Sequence, residues 1–184
     1  MGEIIYKRVE TDTELRQILE LQKLNLKQNL SEDFIHTEGF VYVEHTFAVL
    51  KRMNEACPHF IAIKENQVIG YALCMLERFR RDVPVLEGMF NYIDKVLESK
   101  ELSKLHYLVM GQICVDKAYR GKGVFRNLYN NYRLGLEHEY EAVITEVNAK
   151  NLRSLEAHKA IGFECLDRHI EENDHWELII WKWN

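Results

Sequence analysis

The sequence has little of several residue types, and each shortage excludes a class of protein. It contains only 2 prolines and 9 glycines in 184 residues, too few for a collagen-like or low-complexity chain. Its apolar fraction of 47% is too high for a disordered chain. The 4 cysteines, Cys57, Cys74, Cys114 and Cys165, are far apart and form no CxxC pair. This spacing argues against a disulfide framework or a zinc ribbon, and it favours reduced thiols in a cytoplasmic protein.

Long hydrophobic runs and excess positive charge are also missing. No apolar run approaches the roughly 20 residues that span a bilayer, and the N-terminus lacks the cationic start of a signal peptide. The net charge of −5 argues against general nucleic-acid binding, and the 8 histidines have no metal-ligand spacing. The sequence therefore predicts one cytoplasmic domain over residues 1–184 without metal, nucleic-acid or membrane partners. It leaves a homodimer open.

The hydrophobic pattern predicts a mixed α/β fold. Strands are predicted at 3–9, 60–63, 68–76, 106–115, 142–147, 163–170 and 176–183, and helices at 12–28, 43–56, 122–138 and 150–161. A further helix is predicted after Pro84, within the segment 77–105. The segment 29–42 is expected to be a loop or a broken helix.

Local signals define some of these boundaries. Thr11 and Glu14 have the spacing of a capping box, which starts the first helix. Gly162 has the position of the C′ residue that ends the last helix. His169–Asp174 is predicted to be the turn between the final two strands.

The most informative segment is 115–126, where a strand runs into a glycine turn that opens a helix. The first N–H groups of a helix have no internal partner, and Gly121 and Gly123 would let a phosphate approach them closely. Five cationic residues and no acidic one lie within 117–133: Lys117, Arg120, Lys122, Arg126 and Arg133. The pattern predicts a phosphate or pyrophosphate site, with a solvated loop and a basic helix face as the alternative. It matches neither the Rossmann fingerprint nor the P-loop.

Motifs in and after this segment resemble those of a known family. Arg120-Gly121-Lys122-Gly123-Val124-Phe125 is similar to the acetyl-CoA-binding signature Q/R-x-x-G-x-G/A of the GNAT acetyltransferase superfamily. Val147–Ser154 and Ala160–Phe163 resemble that family's later strand–helix block. The hairpin Phe60–Tyr71 is similar to a hairpin that the family has earlier in its sequence. The resemblance implies a single mixed, mostly antiparallel seven-stranded sheet flanked by helices. It implies a splay between the fourth and fifth strands, and this chain adds an extra helix between the third and fourth.

The resemblance also implies a cosubstrate, acetyl-CoA, and the residues that bind it. Its pyrophosphate is expected on the backbone N–H groups from Gly121 to Arg126, and its pantetheine arm along Ile113–Val115. The implied cofactor-binding residues are Ile113, Cys114, Val115, Arg120, Gly121, Lys122, Gly123, Val124, Phe125, Arg126, Asn151 and Ser154. Phe125 departs from the family's Gly or Ala and is expected to face away from the pyrophosphate.

Three residues are candidates for catalysis. Glu146, on the strand that should flank the acetyl group, is the best general base, because an attacking ammonium must lose a proton; the alternative is an ordinary strand carboxylate. His158 stands where many family members have a proton-donating Tyr, so it is predicted to protonate the leaving thiolate, unless it only packs. Gln112 cannot titrate but could hold a water. His106 and Glu177 are weaker base candidates.

The acceptor side is less determined by the sequence. The resemblance implies that segment 29–42 and the last turn line it, and the insertion 77–105 could wall it off. Acidic residues in these segments would suit a cationic amine, with ordinary solvated charges as the alternative: Glu32, Asp33, Glu38 and Asp82. The predicted function is acetyl transfer from acetyl-CoA to a primary amine of a small molecule, by direct attack in a ternary complex. Three alternatives stay open: an acyl-CoA-binding regulatory or degenerate domain without turnover, a protein lysine or N-terminal acetyltransferase, and a phosphate-binding protein of another family.

Overall fold

A computed structural model describes residues 2–31, 35, 39–171 and 173–183 of the chain. Its centre is a sheet of seven strands: β1 (Ile5–Arg8), β2 (Phe60–Lys64), β3 (Gln67–Met75), β4 (Tyr107–Val115), β5 (Ala142–Asn148), β6 (Glu164–Glu171) and β7 (Asp174–Lys182). The strand order is β1-β2-β3-β4-β5-β7-β6. Only β4 and β5 are parallel neighbours, and the other pairs are antiparallel. This arrangement confirms the predicted fold class.

The parallel pair at the centre of the sheet separates soon after it begins. The paired residues run from Tyr107↔Ala142 to Val109↔Ile144, although β4 continues to Val115 and β5 to Asn148. Opposite β3, Leu73 pairs with Gln112 and Cys74 with Met110, so Gly111 is an extra residue that bulges β4 where the separation begins. The far half of β4 therefore has an edge without a registered partner on β5.

Helices cover both faces of the sheet. They are α1 (Asp12–Asn25), α2 (Phe47–Ala56), α3 (Glu87–Ser99), α4 (Val124–Leu136) and α5 (Leu152–Lys159). Alternate residues of a strand point to opposite faces. Tyr71 and Leu73 of β3 share a buried cluster with α1 residues, whereas Ala72 and Cys74 share one with α4 residues. Thus α1 and α4 pack on opposite faces. Within the described residues, no helix is long and apolar enough to cross a membrane.

The predicted local signals at the helix ends are present. Thr11 and Glu14 form the capping box of α1. Gly162 has a φ of 120°, its N–H bonds to the Lys159 carbonyl, and the N–H of Phe163 bonds to the His158 carbonyl. These bonds form the Schellman motif that ends α5.

Several predicted boundaries were wrong by a few residues. The helix predicted at 43–56 begins only at Phe47, because the Thr46 side chain caps it by accepting from the N–H of Val49. The helix predicted at 12–28 ends at Asn25, before a 3₁₀ turn at Lys27–Asn29. The helix predicted from 122 begins at Val124, since Gly121 and Gly123 have φ of 71° and 80°.

Other elements also differ in extent from their predictions. The helix predicted at 150–161 is shorter, Leu152–Lys159, and β1 is shorter than the strand predicted at 3–9. Pro84 opens a 3₁₀ turn, Pro84–Leu86, which leads into α3. The last two strands extend into the predicted turn 169–174, because β6 runs to Glu171 and β7 starts at Asp174.

Candidate functional site

The glycine turn after β4 presents the N-terminus of α4 to an open space. Gly123 is the N-cap of α4 and has no side chain with which to cap it. A Cβ atom added at Gly121 would meet no heavy atom within 4 Å. The free N–H groups and the positive end of the helix dipole are therefore accessible to an anion.

This turn forms one wall of a cavity of about 320 Å³, which we call the cationic cavity. Arg120, Arg126 and Arg153 are among its lining residues, as is the β4 stretch Ile113–Val115. Every cofactor-binding residue predicted from the sequence lines this cavity except Lys122. The ammonium group of Lys122 instead lies 5.5 Å from the ring centroid of Tyr119.

Arg120 connects the glycine turn to two other elements. Its Nε donates to the Val115 carbonyl at 3.0 Å, and its Nη2 donates to Oδ1 of Asn25 at 2.6 Å. Asn25 is buried at the end of α1 and also lines the cationic cavity. These bonds hold the turn against β4 and α1, so the arginine shapes the anion site as well as contributing charge to it.

Asn151 caps α5 and also contacts the chain segment that precedes α2. Its Oδ1 accepts from the N–H of Ser154, and its Nδ2 donates to the Phe40 carbonyl at 3.1 Å. Gly39 lies close by, because a Cβ added there would be 3.0 Å from Oδ1 of Asn151. Phe40 and Val41 line the cationic cavity and also the neighbouring one. The sequence predicted a loop or a broken helix here, on the acceptor side, and did not indicate that Phe40 and Val41 also line the cationic cavity.

A second cavity, which we call the acidic cavity, has a volume of about 420 Å³ and adjoins the first. It contains the splayed region of β4 and β5, and Ile113, Asn151 and Ser154 line both cavities. Its lining includes the carboxylates of Glu146, Glu171 and Asp174 but, among the described residues, no lysine or arginine. The two adjoining cavities therefore differ in charge.

Glu146 is the most unusual ionisable group of the acidic cavity. Its side chain is only 6% exposed, and no described residue makes a well-aligned hydrogen bond to its Oε1. Burial, with a smaller contribution from the negative charge of Glu171, raises the pKa of Glu146 to about 8. A carboxylate of this kind can hold or release a proton near neutral pH.

His169 lies beside Glu146, with its Nε2 3.3 Å from Oε1 of the carboxylate. Burial lowers the pKa of His169. One ligand atom from each of Glu146, His169 and Glu171 lies within 4.8 Å of the others. The structure thus brings one of the scattered histidines together with two carboxylates, which its position in the sequence did not indicate. The absence of a metal stays a prediction.

Gln112 also lines the acidic cavity, but its amide is bonded within the protein. Its Oε1 accepts from Nε2 of Gln22 at 2.7 Å and from the hydroxyl of Tyr71 at 2.6 Å. Its Nε2 donates to the Val43 carbonyl at 2.8 Å. These bonds connect β4 to α1, β3 and the segment before α2, and they use Oε1 twice and one of the two N–H groups of Nε2. That Gln112 holds a water stays a prediction.

His158 is buried in an aromatic cluster at the edge of the acidic cavity. Its Nδ1 is 2.7 Å from the Ser154 carbonyl, so this nitrogen is the one that carries the proton, and its Nε2 is 2.8 Å from the Tyr129 hydroxyl, which donates to it. Burial lowers the pKa of His158 to about 4. The imidazole is therefore neutral near pH 7 and bonded at both nitrogens. This disfavours the imidazolium donor predicted from the sequence, and the acid role stays a prediction.

Phe125 belongs to the same aromatic cluster. Its ring centroid is 5.1 Å from that of Tyr129 and 5.2 Å from that of His158. Sequence reasoning expected this side chain to face away from the anion site but did not identify the rings that it contacts.

The weaker candidates are placed elsewhere by the structure. His106 stacks on Tyr140, Glu177 pairs with Arg168 and Asp82 pairs with Arg52. None of these three lines either cavity. The other acidic residues proposed for the acceptor side, Glu32, Asp33 and Glu38, lie outside the described residues.

The sequence matches the model of a protein family described as Acetyltransferase (GNAT) family over residues 23–163. No curated protein sequence matches the chain.

Solved structures with the same fold were found at low sequence identity. The ribosomal-protein-S18-alanine N-acetyltransferase from Escherichia coli has a TM-score of 0.65 at 14% identity, covering 98% of this chain and 94% of that one. The NatC complex bound to Gag peptide and CoA has a TM-score of 0.65 at 17% identity, covering 99% of each chain. The structure of yncA from Salmonella typhimurium with its cofactor acetyl-CoA has a TM-score of 0.63 at 12% identity, covering 98% of this chain and 94% of that one. These identities support a shared fold.

Proposed function

The chain belongs to the GNAT acetyltransferase family, and on this basis we propose that it transfers the acetyl group of acetyl-CoA to the primary amine of a small molecule. The proposed reaction is a direct attack in a ternary complex. The observation that carries the proposal is the position of Glu146, a buried carboxylate with a raised pKa, in a cavity that adjoins the cationic one.

The proposed acetyl-CoA site is the cationic cavity. The N-terminus of α4 and the open space at Gly121 suit a pyrophosphate, and the arginines of the lining add positive charge. The unregistered edge of β4 offers backbone groups to the amides of the pantetheine arm along Ile113–Val115. Two solved structures of the same fold contain CoA or acetyl-CoA.

The proposed amine site is the acidic cavity. An alkylammonium has a pKa of about 10, so it must lose a proton before its nitrogen can attack. The carboxylate of Glu146 accepts that proton, and the amine nitrogen then attacks the carbonyl carbon of the thioester. The carbon–sulfur bond breaks, its electron pair leaves with the sulfur of CoA, and the second proton that the attacking nitrogen must lose passes to solvent or to the departing thiolate. A thiol with a pKa of about 8.5 is an adequate leaving group as its anion, so this route does not require an imidazolium at His158.

Two other candidate functions have separate support. Two structures of the same fold are an alanine N-acetyltransferase and a peptide-bound complex, which keeps a protein N-terminus among the candidate acceptors. The neutral, fully bonded state of His158 is compatible with an acyl-CoA-binding domain without turnover.

A combined binding and turnover experiment tests the proposal. Saturating acetyl-CoA should raise the melting temperature, because it binds only the folded chain; at a hundred times its Kd it adds about 2.7 kcal/mol to the free energy of unfolding. CoA release should then depend on an added amine, and Glu146→Gln should lower kcat by about 10²–10⁴-fold while retaining the thermal shift. A thermal shift without amine-dependent CoA release would favour the binding domain. Turnover with peptides alone would favour the N-terminal acetyltransferase.

A further inference from the structure

One apolar wall of the acidic cavity comes from the insertion between β3 and β4. Pro84, Val85, Leu86 and Met89 all line this cavity, and they belong to the 3₁₀ turn Pro84–Leu86 and the first turns of α3. Val85 is 73% exposed, so its side chain is available to a ligand. A single exposed valine is ordinary, but Val85 lies beside three other apolar residues that line the same cavity.

Aromatic side chains form another part of the lining. Phe40, Tyr42 and Trp176 all line the cavity. The ring centroids of Phe40 and Tyr42 are 5.3 Å apart, and those of Tyr42 and Trp176 are 4.9 Å apart. The Tyr42 hydroxyl donates to Asp174 at 2.9 Å, which fixes the tyrosine ring in place. The rings are therefore held by one another and by β7, which gives the cavity a preformed apolar surface.

The negative charge of the cavity is concentrated near Glu146. Asp174 is paired with Lys150 at 2.8 Å and lies 3.5 Å from Lys27, so its charge is largely compensated. Glu171 lies against the first turn of α3, where a Cβ at Gly88 would collide with its carboxylate. The carboxylate left to attract a cation is therefore Glu171, at the end of the cavity where the proposed base, Glu146, lies.

From this distribution we propose that the acceptor is a compact amine whose non-reacting part is apolar, and that the Pro84–Leu86 turn selects it. The inference rests on the proposed function. The amino group is directed to Glu146, and the apolar body is buried against Val85 and the aromatic rings. A volume of about 420 Å³ lies at the lower end of the range for small-molecule sites, about 300–1,000 Å³. A polyamine would place further charges against apolar walls, at a desolvation cost.

A substrate panel with one matched pair of variants tests this inference. CoA release is measured with ethylamine, 2-phenylethylamine, spermidine and a tetrapeptide with a free N-terminal alanine. The wild-type chain should show a kcat/KM for 2-phenylethylamine at least about tenfold above that for ethylamine. Val85→Asn should reduce this ratio by about fivefold, because it raises the KM for 2-phenylethylamine. The KM for acetyl-CoA should not change. Leu134→Asn, at a residue that is 66% exposed on α4 and lines neither cavity, is the control and should leave the ratio unchanged.

The outcomes separate this inference from the proposed function. Preference for spermidine or the peptide, or an unchanged ratio in Val85→Asn, would overturn the apolar-acceptor assignment and leave acetyl transfer to amines intact. No CoA release with any of the four amines, in a chain that still binds acetyl-CoA, would overturn both.

Discussion

Nε2 of His169 lies 3.3 Å from Oε1 of Glu146, a contact that crosses β7 to join β6 to β5. The ring of Tyr92, on the inserted helix α3, lies on His169 with a centroid distance of 3.9 Å. The Tyr92 hydroxyl also donates to the Arg168 carbonyl at 3.2 Å. The insertion thus contacts the histidine that flanks the proposed base, and this connects a departure from the usual family architecture to the chemistry of the site.

The raised pKa of Glu146 predicts a pH-dependent rate. The proposed base acts as the carboxylate, so kcat/KM should rise as the pH increases and should level off above about 8, where Glu146 is ionised. The amine substrate titrates only near pH 10, so its own ionisation affects kcat/KM in a separate part of the profile, at higher pH. The measurement is the pH–rate profile from pH 6 to 10. Burial is the main cause of the raised pKa of Glu146, and Glu171→Gln, which removes the smaller contribution of a neighbouring negative charge, should move the rise in kcat/KM modestly to lower pH. A wild-type profile that is flat between pH 6 and 9 would contradict the role of Glu146.

The same pKa predicts an effect on stability. The folded state raises the pKa of Glu146 from 4.5 to about 8, so folding favours the protonated form. The stability linked to this proton is fully present below about 4.5 and is lost as the pH rises to about 8. Glu146→Gln cannot ionise, so its free energy of unfolding should exceed that of the wild type increasingly as the pH rises through this window.

Urea denaturation at several pH values checks this expectation. Glu177→Gln, at a carboxylate of β7 that lines neither cavity, is the control and should show no such growing gain. Equal effects of the Glu146→Gln change at pH 5 and pH 9 would show that the carboxyl is not desolvated in the folded chain.

A carboxylate placed at the glycine turn should prevent pyrophosphate binding. Gly123→Glu adds a negative charge at the N-terminus of α4, where the pyrophosphate is proposed to bind. Gly123→Ala is the matched control, because it has the same left-handed backbone requirement, φ of 80°, but no charge. Calorimetry should show acetyl-CoA affinity at least about tenfold weaker in the Glu variant than in the Ala variant. Equal affinities in two folded variants would place the phosphates elsewhere.

His158 and Tyr129 are predicted to be coupled in stability. His158→Phe leaves the buried Tyr129 hydroxyl without its 2.8 Å partner and should lower the free energy of unfolding by about 1–3 kcal/mol. In Tyr129→Phe/His158→Phe no unsatisfied hydroxyl remains, so the double variant should lose less than the sum of the two single losses.

The double-mutant cycle also separates this bonding from the acid role that the sequence predicts. If His158 only bonds and packs, Tyr129→Phe and His158→Phe should keep similar kcat values. A kcat that falls in every variant lacking His158, with an altered pH–rate profile, would support the acid role instead.

Local sequence signals predicted much of the fold and the cationic cavity. The glycine turn, the capping box of Thr11 and Glu14 and the C′ position of Gly162 are each determined by neighbours within a few residues. Segment boundaries were less accurate, as at Thr46, where a cap inside a hydrophobic pattern starts the helix later than the periodicity indicates.

Contacts that join distant elements could not be predicted in this way. His169 reaches Glu146 because β7 is inserted between β5 and β6 and fixes their registers. The Tyr129–His158 bond depends on how α4 and α5 pack. The position of Phe40 between the two cavities depends on a bond from Asn151, 111 residues later in the chain. Such contacts follow from sheet register and helix packing, which a single sequence does not specify.

The most direct test of the account is to identify the product of a reaction with isotopically labelled acetyl-CoA and 2-phenylethylamine by mass spectrometry. We predict that the wild-type chain forms the labelled N-acetyl amine in a one-to-one ratio with released CoA, and that Glu146→Gln binds acetyl-CoA but forms the product at least about a hundredfold more slowly. Equal rates of product formation in the two chains, or CoA release without labelled amide, would contradict the account.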